Sequence, residues 1–245
     1  MKNLVLGSLI AIAASQAAGC IITSGDDGGA NAYITANWQI KHQASNTVIT
    51  CPPTFDTAAL YNQPVDAAGN NVGAVVVDLF DCAASTGTSA PLVPGLYLSW
   101  IEIANHDNTQ VYAKSLSANV DITVQDKSFS AQILDDGGYF QLAWTLKGES
   151  TNAPLSCAQA GAAGGVEAIG TDIANASNSA SDQFDCEAHY GVTAGYVQGT
   201  YTVSVNALNA ADVPISPSQN LTNKIIQPKN MVTNLGTIEI PITGL

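Results

Sequence analysis

The sequence contains no arginine, and its seven basic residues are all lysines. A bidentate guanidinium clamp on phosphate or carboxylate is therefore outside its chemistry. Charge of either sign is scarce at 11% of 245 residues, and twenty acids against seven bases give a formal charge of -13. That balance argues against DNA or RNA, where lysine and arginine must neutralise phosphates, and against an electrostatic grip on anionic lipid. No His-Glu-x-x-His, Gly-x-Ser-x-Gly or Gly-Lys-Ser/Thr motif occurs, and His42, His106 and His189 stand isolated. Apolar runs of membrane-spanning length are missing too. The run from Leu4 to Ala14 is eleven residues, against the roughly twenty a spanning helix needs. What the chain does have is a 46% hydrophobic share, which excludes a disordered polymer.

Lys2 followed by the Leu4–Ala14 run reads as a secretory signal. The run ends in Ala17-Ala18-Gly19-Cys20. Small residues directly before a cysteine resemble the lipobox of bacterial lipoproteins, with Ala17 standing where that family usually has leucine. The resemblance implies cleavage after residue 19 and acylation of Cys20 on its sulfur (a palmitate-type lipid) and on its new amine. Two or more chains anchor a protein firmly, at about 0.8 kcal/mol per buried methylene. Ile21, where an aspartate tends to mean inner-membrane retention, points to the outer membrane, on its periplasmic face or at the cell surface, of a Gram-negative bacterium. Residues 20–31 read as a flexible tether around Ser24-Gly25-Asp26-Asp27-Gly28-Gly29.

Five cysteines are present, Cys20, Cys51, Cys82, Cys157 and Cys186. With Cys20 assigned to lipid, four are left to pair in an oxidising compartment, with three connectivities open in principle. Zinc is the rival use, but no Cys-x-x-Cys knuckle exists and His42 and His189 lack ligand spacing. An internal repeat favours one connectivity. Trp38-Gln39-Ile40-Lys41 matches Trp144-Thr145-Leu146-Lys147, and thirteen positions after each tryptophan stands a cysteine, Cys51 and Cys157. Phe80-Asp81-Cys82 matches Phe184-Asp185-Cys186, and fifteen positions after each of those cysteines comes Tyr97 or Tyr201, each preceded two places earlier by glycine. Pairing within each copy, Cys51–Cys82 and Cys157–Cys186, closes loops of about thirty residues, each stabilising by roughly 3–4 kcal/mol in the chain-entropy picture.

Period-two patterning around Trp38 and Trp144, with further strand signals at 73–80, 96–103, 116–124, 128–134, 200–208, 221–227 and 235–242, indicates many short strands. Residues 158–166, rich in alanine and glycine, read as a short helical turn. The expected fold is all-β: two tandem antiparallel β-sandwich domains, one over 32–134 and one over 139–245, joined by a linker at 135–138, each with one intradomain disulfide. The tryptophan beside a cysteine pair resembles immunoglobulin-like packing, though here the tryptophan precedes both cysteines. The Gly-x-Tyr strand start resembles prealbumin-like (transthyretin-like) modules found in tandem in bacterial surface proteins.

Candidate site residues are few. Trp100 has no aromatic counterpart, its equivalent being Ser204, so Trp100 and Tyr112 are candidates for stacking on a ligand such as a sugar. Asp135 and Asp136, in the Asp-Asp-Gly-Gly that also occurs at 26–29, are weak calcium candidates, because two adjacent carboxylates supply too few oxygens. Asp78, Asp81 and Asp185 are further acids near the bridges, read as solvent-facing. No catalytic residue, metal or cofactor is expected. The leading functional expectation is a non-enzymatic, envelope-anchored lipoprotein serving as a structural, adhesive or partner-binding module, with an envelope protein or a glycan as its partner. A carbohydrate-binding module, calcium-assisted or not, is the first alternative. A hydrolase with a carboxylate pair that meets only in the fold is the second.

Overall fold

Ala36, Trp38 and Ile40 are buried and alternate with exposed Asn37 and Gln39, so β1 (Ile34–His42) presents one face to a core, as period two requires. In the computed structural model, which describes residues 31–245, β2 (Thr47–Ile49) and β5 (Thr86–Thr88) run antiparallel along one edge of β1. The other edge carries β9 (Lys127–Leu134). A second sheet of β3 (Thr57–Val65), β4 (Val76–Asp81), β6 (Leu96–Ala104) and β7 (Val111–Lys114) has the order β4-β3-β6-β7, and β8 (Ala118–Asp121) also pairs with β6.

The second half repeats this plan. β10 (Gly137–Gly148) carries β11 (Pro154–Leu155), β14 (Tyr190–Val192) and β15 (Tyr196–Val197), together with β18 (Met231–Ile242). Its second sheet is β13-β12-β16-β17, from β12 (Gly165–Asp172), β13 (Ser179–Phe184), β16 (Gly199–Leu208) and β17 (Gln219–Ile226). The fold is thus all-β with four sheets and one disulfide per half, Cys51–Cys82 and Cys157–Cys186. The pairing is antiparallel except at one place in each half: β1 with β9 and β10 with β18 run parallel. A parallel pair needs a long crossover, and here the facing sheet of each half is that crossover. The helical turn expected at 158–166 is α1 (Cys157–Ala160), closed by a capping box from Ser156 and Gln159; residues 165 and 166 already belong to β12.

The repeat extends to single hydrogen bonds. The indole N–H of Trp38 donates to the Cys82 carbonyl at 2.9 Å, and that of Trp144 to the Cys186 carbonyl at 3.0 Å. Asp81 and Asp185 accept from backbone amides two residues on, capping the 3-10 turns that carry Cys82 and Cys186. The tyrosine hydroxyls of the two Gly-x-Tyr motifs donate back four residues, Tyr97 to Val93 O and Tyr201 to Val197 O, fixing each strand entry. Asp78 and Asp182 accept from the amides of Ala90 and Ala194. Asp78 alternates with exposed Val77 and Leu79, so it faces inward, which corrects its reading as solvent-facing. Gly87 and Gly191 lie under the rings of Phe80 and Phe184, where a Cβ would sit 2.6 and 2.5 Å from ring carbons.

The cores differ. In the second half one continuous cluster runs from Phe140 through Trp144 and both bridge cysteines to Ile242. In the first half the core is two clusters, one around Trp38, Leu60 and Ile101, the other around Ile34, Leu92 and Tyr97. Asn62 and Ser99, paired across β3 and β6, lie at the division, both fully buried, with Ser99 donating to Asn62 Oδ1 at 2.8 Å. The equivalent pair in the second half is Gly170 and Val203. There the Tyr196 ring rests against Gly170, leaving no room for a Cβ, and fills the space with apolar surface. Leu92 stands where Tyr196 does, each pairing with an equivalent residue of the first strand, Ala32 or Gly138.

Candidate functional site

The outward faces of the two equivalent sheets carry different chemistry. On β4-β3-β6 the outward row Val77, Tyr61, Trp100 runs across three strands in register. Leu79 stands beside it on β4, and Leu98 and Leu96 on β6. Val77 is 38% exposed and Leu79 55%. The rings of Tyr61 and Trp100 stack at 5.0 Å and 4°. The Lys114 ammonium covers the indole at 4.0 Å from its centroid, a cation–π contact. Glu102 accepts from the Trp100 N–H at 2.9 Å and lies 3.8 Å from Lys114, which fixes the indole's orientation.

On β13-β12-β16 the equivalent row reads Ser181, Ile169, Ser204, and Gln183 replaces Leu79. These polar groups satisfy one another. Ser181 donates to Glu167 at 2.6 Å, Ser204 to Asn220 at 2.6 Å, and Gln183 to Asp212 at 2.9 Å. A single backbone plan thus displays one apolar, aromatic face and one in which serine and glutamine flank Ile169. A contiguous exposed apolar patch on a soluble domain marks an interaction surface.

Asp135 and Asp136 lie in the connection between β9 and β10, where Gly137 and Gly138 already pair with β15. Asp135 accepts from the Tyr112 hydroxyl and the Lys229 ammonium. Asp136 accepts from the amides of Gln43 and Ala44 and lies 3.3 Å from His42. Asn230 bridges the halves, accepting from the Leu134 amide and donating to Lys114 O. Burial pushes Asp135 upward, but the hydrogen bonds from Lys229 and Tyr112 outweigh it and hold its carboxyl below the usual range. Burial lowers Lys229, and the bonds to Asp135 and Tyr112 reverse the sign and raise it. Tyr112 is raised, first by burial and then by Asp135. Asp135, Asp136, Tyr112, Lys229 and Asn230 thus form a hydrogen-bonded joint around the linker at 135–138. Of the weak calcium candidates, Asp135 has its Oδ1 engaged by Tyr112 and Lys229, and Asp136 has both oxygens engaged by the Gln43 and Ala44 amides and His42.

The other candidates fall as follows. Trp100 has Tyr61 on one ring face and Lys114 on the other, and Tyr112 packs on Phe55 at 5.1 Å with Lys229 over its ring at 4.0 Å. Both rings of the stacking candidates thus already carry neighbours within the protein. Asp81 and Asp185 cap turns. His106 sits at a hairpin tip, 3.5 Å from Asp56. Among the described residues, Cys157, Glu187 and His189 bring three potential metal ligands together, but the Cys157 sulfur is consumed in a disulfide and only a thiolate ligates. Asp66 and Asp121, like Asp135, are held low, Asp66 by hydrogen bonds from Asn70 and Asp121 by those from Thr123; a general acid needs the opposite shift. Cys20, the signal at 1–19 and the tether apart from Asn31 lie outside the described residues. Sequence reasoning missed Tyr61, Val77 and Leu79 as surface partners of Trp100; the signal available was the loss of Val77 and Leu79 to Ser181 and Gln183 between matched Phe-Asp-Cys motifs.

No protein-family model matches the chain, and no curated protein matches it. Solved structures with a similar course are distant. A leucine-rich repeat protein from Bacteroides thetaiotaomicron has TM-score 0.40 and 9% identity over 86% of this chain, which spans only 26% of that one. A minor pilin from Streptococcus agalactiae has TM-score 0.31 and 13% identity, covering 88% of this chain and 98% of its own. A fimbrial anchor protein from Porphyromonas gingivalis has TM-score 0.30 and 12% identity, covering 78% and 83%. No residue role is carried over from them.

Proposed function

We propose that this chain is an exported, lipid-anchored, non-enzymatic surface module that contacts a partner through the outward face of its first half. Export and anchoring rest on the signal-like residues 1–19 and the lipobox at Cys20, with the outer membrane as the site of the lipid. The contact surface rests on one observation: the Val77–Tyr61–Trp100–Lys114 ladder with Leu79, set against its polar counterpart Ser181–Ile169–Ser204 with Gln183. Hydrophobic side chains that a fold does not need for its core, and that the sister copy has replaced with serine and glutamine, are kept for binding. The joint at Asp135, Asp136 and Lys229 ties the two halves.

The test gives the first half the second half's residues, Val77→Ser, Leu79→Gln and Trp100→Ser, in the full chain. All three positions are outward-facing, so folding is kept and checked by circular dichroism. Attachment of cells displaying the variant to host-derived or bacterial surfaces that hold the wild type is expected to fall to background. Attachment at the wild-type level would defeat this reading. Intact-mass measurement of membrane-extracted protein checks the anchor: a mass carrying acyl chains on Cys20 is expected, and an unlipidated mature N-terminus contradicts it.

A further inference from the structure

The geometry points to the β4 edge as an acceptor for an added strand, and to an extended polypeptide with alternating apolar side chains and a basic residue at its N-terminal end as the occupant. This rests on the proposed contact face and names the class of partner that face takes. Among the described residues β4 pairs with β3 alone, so its other edge presents backbone donors and acceptors. Protein edges are normally guarded by lysine and other charges, proline or bulges. The run Val76–Asp81 has no lysine, proline or bulge; its charges are Asp78, turned inward and engaged by the Ala90 amide, and Asp81 at its end. Its outward side chains are Val77 and Leu79, with Val75 exposed just before them. The corresponding edge of the second half, β13, is guarded by polar chemistry: Ser179, Ser181 and Gln183 face outward, and Gln183 is tied to Asp212.

Strand addition uses backbone hydrogen bonds for affinity and alternate side-chain positions for selectivity. A strand laid on β4 would set every second side chain beside Val77 and Leu79, continuing the row that leads to Tyr61 and Trp100. Charge sets the rest of the partner's character. At the Cys82 end of β4 a surface hollow is lined by Asp56, Leu79, Phe80, Asp81 and His106. Asp81 uses one carboxylate oxygen to cap the turn after it, leaving the other, and Asp56 is 61% exposed. The chain as a whole carries -13. Asp81, on the outward row of β4 with one oxygen left, favours a lysine or arginine there, while Asp56 already faces His106 across the hollow. Because β4 runs toward Asp81, an antiparallel partner places its N-terminal end at the carboxylates. The same acidity disfavours a second copy of this chain, which would bring like charges together.

The test uses full-length protein and a labelled synthetic peptide, acetyl-Lys-Thr-Val-Thr-Val-Thr-Val-amide, whose lysine and valines share one face as Asp81, Leu79 and Val77 do, followed by fluorescence anisotropy and by amide exchange of β4. Saturable binding with new protection confined to residues 76–81 is expected. Leu79→Lys and, separately, Val77→Lys place a guarding charge on the edge and are expected to weaken binding by about tenfold or more. Ser181→Lys on the other half leaves it unchanged, and a peptide with Glu for Lys binds several-fold more weakly. No binding, binding indifferent to both lysine variants, or protection elsewhere would overturn strand addition. So would a peptide-independent dimer that either lysine variant dissociates, which would make a second copy the occupant. If the peptide fails while the Ser/Gln/Ser variant still loses attachment, the contact face stands and only the strand mode falls.

Discussion

The two halves share a backbone plan down to the Trp-to-carbonyl bond and the tyrosine at the strand entry, yet they diverge at one strip of β3 and β12. Inside, Asn62 with Ser99 divides the first core, whereas Gly170 admits the Tyr196 ring and keeps the second core whole. Outside, one residue away on the same strand, Tyr61 stacks on Trp100, whereas Ile169 faces Ser204. At this strip the second half has the Tyr196 ring inside and serine, glutamine and Ile169 outside. The first has a buried polar pair and an apolar surface. Burying the Asn62 amide costs stability because its Nδ2 finds no partner, and an exposed apolar face risks association.

The shared plan breaks most sharply at the tryptophans. Trp38→Ala or Trp144→Ala removes a buried ring and leaves a cysteine carbonyl without its donor. Each is expected to cost about 3–5 kcal/mol in chemical denaturation, and a clear inequality between them would show that the halves are less alike than their hydrogen bonds. Next, Gly170→Ala drives a methyl into the Tyr196 ring and is expected to cost about 1–3 kcal/mol. The double variant Asn62→Leu with Ser99→Val replaces both members of the polar pair and is expected to be neutral or stabilising. A loss of several kcal/mol there would mean the pair does more than divide the core.

The smallest effect belongs to the joint. The folded pKa of Asp135 lies below its ordinary 3.8, so its contribution is full above that value and is lost as pH falls through the lowered pKa. The folded pKa of Lys229 lies above 10.5, so its contribution is full below that value and disappears as pH rises through the raised one. The joint is therefore intact across neutral pH. Because Lys229 is 40% exposed, Lys229→Met is expected to lower stability by under about 1 kcal/mol at pH 7. It is also expected to flatten the acid limb of melting temperature against pH, and an unchanged acid limb would remove the joint from the account.

Much of this was legible in the residues. The repeat, both bridges and the all-β class follow from Trp38/Trp144, the cysteine spacings and Gly-x-Tyr, because those positions are fixed by core geometry and keep their identity. The central strands β3 and β12 were not legible. β3 carries Asn62, Gln63 and Pro64, and β12 carries Gly165, Ala168 and Gly170, compositions that local propensity assigns elsewhere and that only packing across the sandwich explains. The parallel pairing of first and last strands leaves no local mark at all. Of the candidate site, Trp100 was visible through its mismatch with Ser204. Its partners were hidden because Tyr61 lies in one of the unread strands. Asp135 and Asp136 looked like turn residues because Lys229, which binds Asp135, is 94 positions away.

The most direct measurement is a reciprocal graft read by attachment. In the chain already carrying Val77→Ser, Leu79→Gln and Trp100→Ser, the second half receives Ser181→Val, Gln183→Leu, Ile169→Tyr and Ser204→Trp. If exposed ladder chemistry on this sheet is what binds, attachment returns at least in part, now through the second half. Full attachment before the graft, from a folded chain whose first face is polar, would contradict the account.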